Sequence, residues 1–212
     1  MSVTISNVCQ YISHGNVYVG AQIPPDLNSL GQAYFLGANG ERGSLTCVAG
    51  VPSGGTDVGA TSGETTYRYN ATVEDVDIEQ STTGVCAHVT EEEATLEFTV
   101  AEATAQNIKR AMSQGFLRDF TGPGALTGKV ISVGGLTAVT GESICVISEK
   151  KEDPGRFVGA MIYNAYNDAG LERSFKKGEA TLVSMTFRGL ATTATLARSA
   201  GDRLGQYFEQ NI

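Results

Sequence analysis

The sequence predicts a mainly β fold, an antiparallel sandwich or barrel with one short α-helix, and three observations lead there. Nine short runs of β-forming residues recur between turn signals. Glycine reaches 26 of 212 residues while only 18% are charged, and a single stretch has a clear helical period. A chain of this length can bury one good core, and all-β domains of this size are commonly undivided, so a single domain over 1–212 is expected.

The β-type runs lie at 16–22, 32–36, 65–73, 75–80, 94–100, 129–133, 144–149, 156–164 and 179–188. The helix is expected over 102–114, where Ala105, Ile108 and Met112 fall at helical spacing and Gly115 offers a stop. Short and amphipathic, it reads as a lid on a sheet. Residues 37–64 carry eight glycines and no sustained apolar period. A loop this long inside a compact domain is usually functional or disordered, so it either meets a partner or hangs free. After Gly189 the apolar residues are scattered. A terminal arm over about 189–212 that docks on a neighbour and a fraying end both fit.

Little in the chain points to chemistry. Cys9, Cys47, Cys86 and Cys145 are far apart with no CxxC pair, which argues against a zinc ribbon or a redox motif and for buried free thiols. His14 and His88 stand in no ligand spacing, and no phosphate-cradling glycine loop or HExxH helix occurs. No enzyme, cofactor or metal site is therefore expected. The apolar stretches are too short to span a bilayer, and the N-terminus lacks the pattern of a secretory signal. A soluble protein made in the cytoplasm and not inserted in a membrane is expected.

The acidity is localised. Between Tyr69 and Ile108 there are nine acids and no Lys or Arg, a formal charge of −9 against −8 for the whole chain, so the remainder carries +1. Asp75, Asp77 and Glu79 alternate with Val76 and Ile78; Glu91, Glu93 and Glu97 alternate with Glu92, Leu96 and Phe98. A period of two puts each set on one sheet face, with the apolar set turned to a core. A solvated surface is the plain reading of such faces. They would repel DNA, which argues against specific nucleic-acid binding. A conduit for DNA, however, needs repulsion and not affinity.

The run VTEEEATLEFTVAEATAQNIKRAM, 89–112, closely resembles the central strand-to-helix segment of the tail tube (major tail) proteins of long-tailed bacteriophages of the siphophage type. GNVYVGAQIP (15–24) with AYFLG (33–37), and SFKKGEATLVSMTFRGLA (174–191), look like the same family in the same order. The resemblance implies a β-sandwich subunit that assembles as hexameric rings, stacked into the tube through which the genome leaves. It implies partners at the tail tip and terminus, a tape measure protein inside, double-stranded DNA in passage, and a place in the virion tail. It makes Asp75, Asp77, Glu79, Glu91, Glu93 and Glu97 candidates for the bore. Ser53, Gly54, Gly55, Thr56 and Asp57 become candidates for contact with the next ring, although the glycine content at 56–62 departs from the usual extended hairpin. A β-rich surface adhesin or carbohydrate-binding module is the rival; it would normally show exposed aromatics for sugar stacking, and this chain has no Trp.

Overall fold

The computed structural model describes residues 15–21, 47–48, 51–52, 55–76, 86–113, 115–135, 139, 141–151, 157–173, 181–191 and 203–209. In chain order these form β1 (Asn16–Val19), β2 (Cys47–Val48), β3 (Val51–Pro52), β4 (Thr56–Asp57), β5 (Thr66–Val76), β6 (Cys86–Val100), α1 (Ala105–Met112), β7 (Phe116–Thr121), β8 (Thr127–Ser132), β9 (Glu142–Glu149), β10 (Phe157–Asn167), β11 (Val183–Gly189) and β12 (Gly205–Glu209). The fold is mainly β and antiparallel, with one short helix among the described residues. Strands β4, β1, β9, β10, β11, β6 and β5 form one sheet in that order, while β2–β3 and β7–β8 are separate two-stranded ribbons.

Strand β10 organises the sheet. Its residues Val158 to Ile162 pair with β9 on one edge and β12 on the other, whereas Ala165 to Asn167 pair with β11. The sheet therefore forks along β10. A register shift between Ile162 and Ala165 returns Ala165 to the face of Ile162, so one apolar face continues through the bend. The far edges then approach each other. The Val58 N–H donates to the Val17 carbonyl (3.1 Å), the Ser62 N–H to the Thr99 carbonyl (2.8 Å) and the Ala101 N–H to the Ala60 carbonyl (2.8 Å). With the Thr61–Val100 bridge, the stretch after β4 spans from β1 to β6 and closes a barrel-like wall.

Inside that wall lies the main core: Val17, Val19, Ile144, Ile162, Leu96, Phe98, Val100, Val183, Met185 and Phe187, closed by Val58 and Ala111. The Phe98 and Phe187 rings stack with centroids 5.8 Å apart. The predicted alternation on β6 holds, since Ala94, Leu96, Phe98 and Val100 are buried while Glu93, Thr95, Glu97 and Thr99 are only partly so. On the other face of β1, β9 and β10, a second buried cluster gathers Tyr18, Cys145, Ile147, Met161 and Tyr163. Burial on both faces explains why β9 and β10 read as nearly unbroken apolar runs.

Helix α1 is shorter than the predicted 102–114 and turns a different face inward. Thr104 caps it by accepting from the Asn107 N–H (3.2 Å), and Ser113, at φ 52°, ends it before Gly115 is reached. The buried residues are Asn107 and Ala111; Ala105, Ile108 and Met112 flank them. The reason is polar. The Asn107 side-chain amide donates to the Val58 carbonyl (2.7 Å) and the Glu102 carbonyl (3.0 Å), which fastens the helix to the closing stretch of the barrel.

Other boundaries differ too. Runs 65–73 and 75–80 are one strand as far as Val76, with 77–85 outside the described residues, and β6 begins at Cys86, not at 94. Strand β7 was not anticipated. At the C-terminus, Gly205–Glu209 pairs with β10 of its own chain, so this part of the expected arm lies on its own subunit. The run at 32–36 is outside the described residues.

Candidate interaction surfaces

Strands β5 and β6 run past the barrel as a two-stranded arm. Every residue from Tyr69 to Asp75 and from Cys86 to Glu92 is exposed, so both faces of the arm meet solvent in the single chain. Register decides what each face offers. Pairing runs regularly from Thr66↔Glu97 to Thr72↔Glu91, then shifts to Val73↔Val89, leaving Thr90 as an extra residue on β6. The Thr90 hydroxyl donates to the Thr72 carbonyl (3.3 Å) at this bulge.

One arm face continues the core side of the barrel and carries Tyr69, Ala71 and Val73 opposite Ala94, Glu92 and Val89. Tyr69, Val73 and Val89 are each about half exposed. The Tyr69 hydroxyl donates to Glu92 Oε1 (2.6 Å), a bond that raises the phenol above its ordinary value. The other face is acidic, with Glu74, Glu91, Glu93 and Glu97. Arg68 meets Glu97 at 2.8 Å, Arg188 meets Glu93 at 2.9 Å, and His88 Nε2 stands 4.0 Å from Glu74. These exposed pairs contribute ~0–1 kcal/mol each.

Register corrects the expected grouping, in which Asp75 shared the carboxylate face turned away from the apolar side. Glu74 joins Glu91, Glu93 and Glu97, whereas Asp75 lies opposite Ala87 on the Val73 side. Asp77 and Glu79 are outside the described residues. Within the candidate ring-contact loop, Thr56 and Asp57 pair with Val19 and Tyr18, Gly55 precedes them, and the Asp57 carboxylate accepts from the Gly59 N–H (2.9 Å). These positions belong to the wall of their own barrel. Ser53 and Gly54 are outside the described residues.

A second bare surface is the β7–β8 ribbon. Its turn is built by Pro123 and by Gly124 at φ 74°, a conformation that favours glycine, and is closed by the Gly122 N–H donating to the Leu126 carbonyl (2.7 Å). Leu117 and Ile131 are opposite each other on the half-buried side, near Met112 of the helix. The opposite side carries Phe116, Arg118, Phe120 and Val130, with the Phe120 ring lying over Gly128 and Arg118 donating to the Ser132 hydroxyl (2.9 Å). Phe116 is 65% exposed. In the sequence, the signal for β7 was the pairing of FLRDFT with the Pro-Gly turn that follows it.

An open groove of about 370 Å³ lies over β9 and β10, lined by Val146, Val158, Ala160, Tyr67 and Tyr207 among others. Among the described residues Glu64 is the one carboxylate in that lining, so they offer no pair of carboxylates for acid–base work there. Among the described residues no group of three His, Cys, Asp or Glu side chains is placed to hold a metal ion, and no helix is long and apolar enough to cross a membrane. Cys86 is exposed and Cys145 buried, both as free thiols. No protein-family model matches the chain, and no curated protein matches it.

Proposed function

We propose that this chain is a tail tube protein of the siphophage type, whose copies form hexameric rings that stack into the conduit for genome ejection. The observation that carries the reading is the arm: a barrel closed on itself extends a two-stranded ribbon with both faces bare. Such a ribbon is marginal in water and gains stability when a neighbour covers it. The three family-like strings at 15–37, 89–112 and 174–191 support the same reading. On it, the subunit has the tail tube fold, tail tip, tape measure and terminator proteins meet the tube, and the virion tail is its place.

Electron microscopy of the purified chain tests this. At low salt the net charge of −8 keeps subunits apart. Raising ionic strength toward about 1 M shrinks the Debye length to about 3 Å, and rings or tubes are the expected result. Single subunits at every salt and protein concentration would overturn the reading.

The acidic arm face lines the bore on this reading. A cationic wall gains counterion-release free energy at each phosphate contact and would hold the duplex, whereas a negative wall leaves it mobile. Glu91 makes no ion pair among the described residues, so Glu91→Lys changes the wall without breaking one. Particles carrying Glu91→Lys should have normal tails and slower DNA release, followed by dye fluorescence after triggered ejection. An unchanged rate would remove the lumen assignment and leave the tube itself standing.

A further inference from the structure

Among the described residues, eight of the twelve exposed large apolar side chains lie on the two ribbons: Tyr69, Val73 and Val89 on the arm, and Phe116, Phe120, Leu126, Val130 and Val133 on or beside β7–β8. We propose that these two surfaces are partners, the apolar face of one copy's arm docking on the exposed face of a neighbouring copy's β7–β8 ribbon. The occupant, a second copy of this chain, rests on the ring reading above; which surface meets which is the new step.

Charge complementarity selects the pairing. The arm carries Glu74, Asp75, Glu91, Glu92, Glu93 and Glu97 against Arg68, whereas β7–β8 carries Arg118 and Lys129 against Asp119. On the surfaces that would meet, the match is closer. Arg118 stands between Phe116 and Phe120 on its ribbon, and Asp75 and Glu92 flank the Val73 and Val89 pair on the arm. Lys129 and Asp119 are paired at 3.6 Å on the other side of β7–β8, which leaves Arg118 as the cation on the apolar side. Docking buries apolar surface on both ribbons and sets a guanidinium against carboxylates.

The alternatives are worse by the same physics. Arm against arm in a two-fold contact sets carboxylates against carboxylates, and like charges held together cost affinity. Ribbon against ribbon brings Arg118 to Arg118. Arm against ribbon is heterologous, the kind of contact that propagates around a ring when its rotation closes and into a filament when it does not. A ribbon of six residue pairs is about 20 Å long. It covers only part of the roughly 800 Å² per partner of a standard interface, so a single contact is weak and a closed ring gains from several.

A mixing experiment tests the pairing. Val73→Glu disables the arm and Phe116→Glu disables the ribbon; both side chains are more than half exposed, so neither change removes core packing. Sedimentation velocity is run at a concentration where the unaltered chain forms assemblies larger than a dimer, with thermal unfolding confirming each variant is folded. Each variant alone should sediment as a monomer, its association weakened about tenfold or more. Mixed one to one, they should give a dimer and nothing larger, because only one intact arm meets one intact ribbon. A variant that assembles like the unaltered chain, or a mixture that stays monomeric, overturns the pairing and leaves the ring reading intact. An unaltered chain that never associates overturns both.

Discussion

Replacing Asn167 by Ala is expected to lower the stability of the fold by about 2–4 kcal/mol, because three polar groups lose their partner at once. Asn167 is 5% exposed at the end of β10. Its side-chain amide donates to the Ala111 and Gly170 carbonyls, and its Oδ1 accepts from the Thr186 N–H at 2.7 Å. Its backbone is held as well, since the Ser113 hydroxyl accepts from the Asn167 N–H and donates to the Asn167 carbonyl. One side chain thus ties the helix C-terminus, the end of β10 and β11 together. Chemical denaturation of the monomer measures the loss, and a change within about 0.5 kcal/mol would show that water replaces these bonds without cost.

Asn167→Asp separates this account from a simple loss of packing. A carboxylate keeps the acceptor for Thr186 but sets negative oxygen against two carbonyls, so the folded state favours the protonated acid and its pKa rises above the unfolded value of about 3.9. With a raised folded pKa, the stability of the variant relative to Ala is fully present below the unfolded pKa and is lost as pH rises through the folded one. Asn167→Asp should therefore be least stable near neutral pH and recover in mild acid. A variant equally stable at both pH values would sink the hydrogen-bond explanation.

Fold class and the core strands were legible in the sequence because burial writes a period. Leu96, Phe98 and Val100 alternate with polar neighbours, and the helix announced itself through Ala105, Ile108 and Met112 at helical spacing, although Asn107 and Ala111 are the residues it buries. What failed depended on long-range partners. Asn107 looked like a surface polar residue, yet Val58, far away in sequence, makes it the inward residue of the helix. Thr56 and Asp57 looked like glycine-rich loop, because a two-residue strand has no period to show and takes its conformation from β1. The bulge at Thr90 was invisible for the same reason: it exists only relative to β5, and it alone sets Val89 on the Val73 side, away from Glu91, while the pairing of Thr72 with Glu91 sets Asp75 and Glu91 on opposite sides. Candidate site residues were thus found by composition, but their grouping required register.

Shortening the arm is expected to abolish assembly while leaving a folded barrel. Replacing 71–92 by an Asn-Gly turn joins Asn70 to Glu93, which are already paired, and a two-residue turn of this kind suits an antiparallel ribbon. The change keeps Arg68 with Glu97, and Leu96, Phe98 and Val100 in the core, so everything that packs the barrel is retained. Among the described residues what is lost is exposed on both faces, Val73 and Val89 with Glu74, Asp75, Glu91 and Glu92, and Asp77 and Glu79 go with them, six carboxylates in all. Because a two-stranded ribbon in water contributes little net stability, the unfolding free energy should change by less than about 1 kcal/mol. On the proposed ring self-association should disappear, since most of the apolar face assigned to a neighbour and part of the acidic face assigned to the bore leave together. Denaturation and electron microscopy of the same preparation read the two effects separately. Loss of the fold would mean that the arm braces its own barrel, and tubes of ordinary appearance from the shortened chain would mean that assembly uses other surfaces.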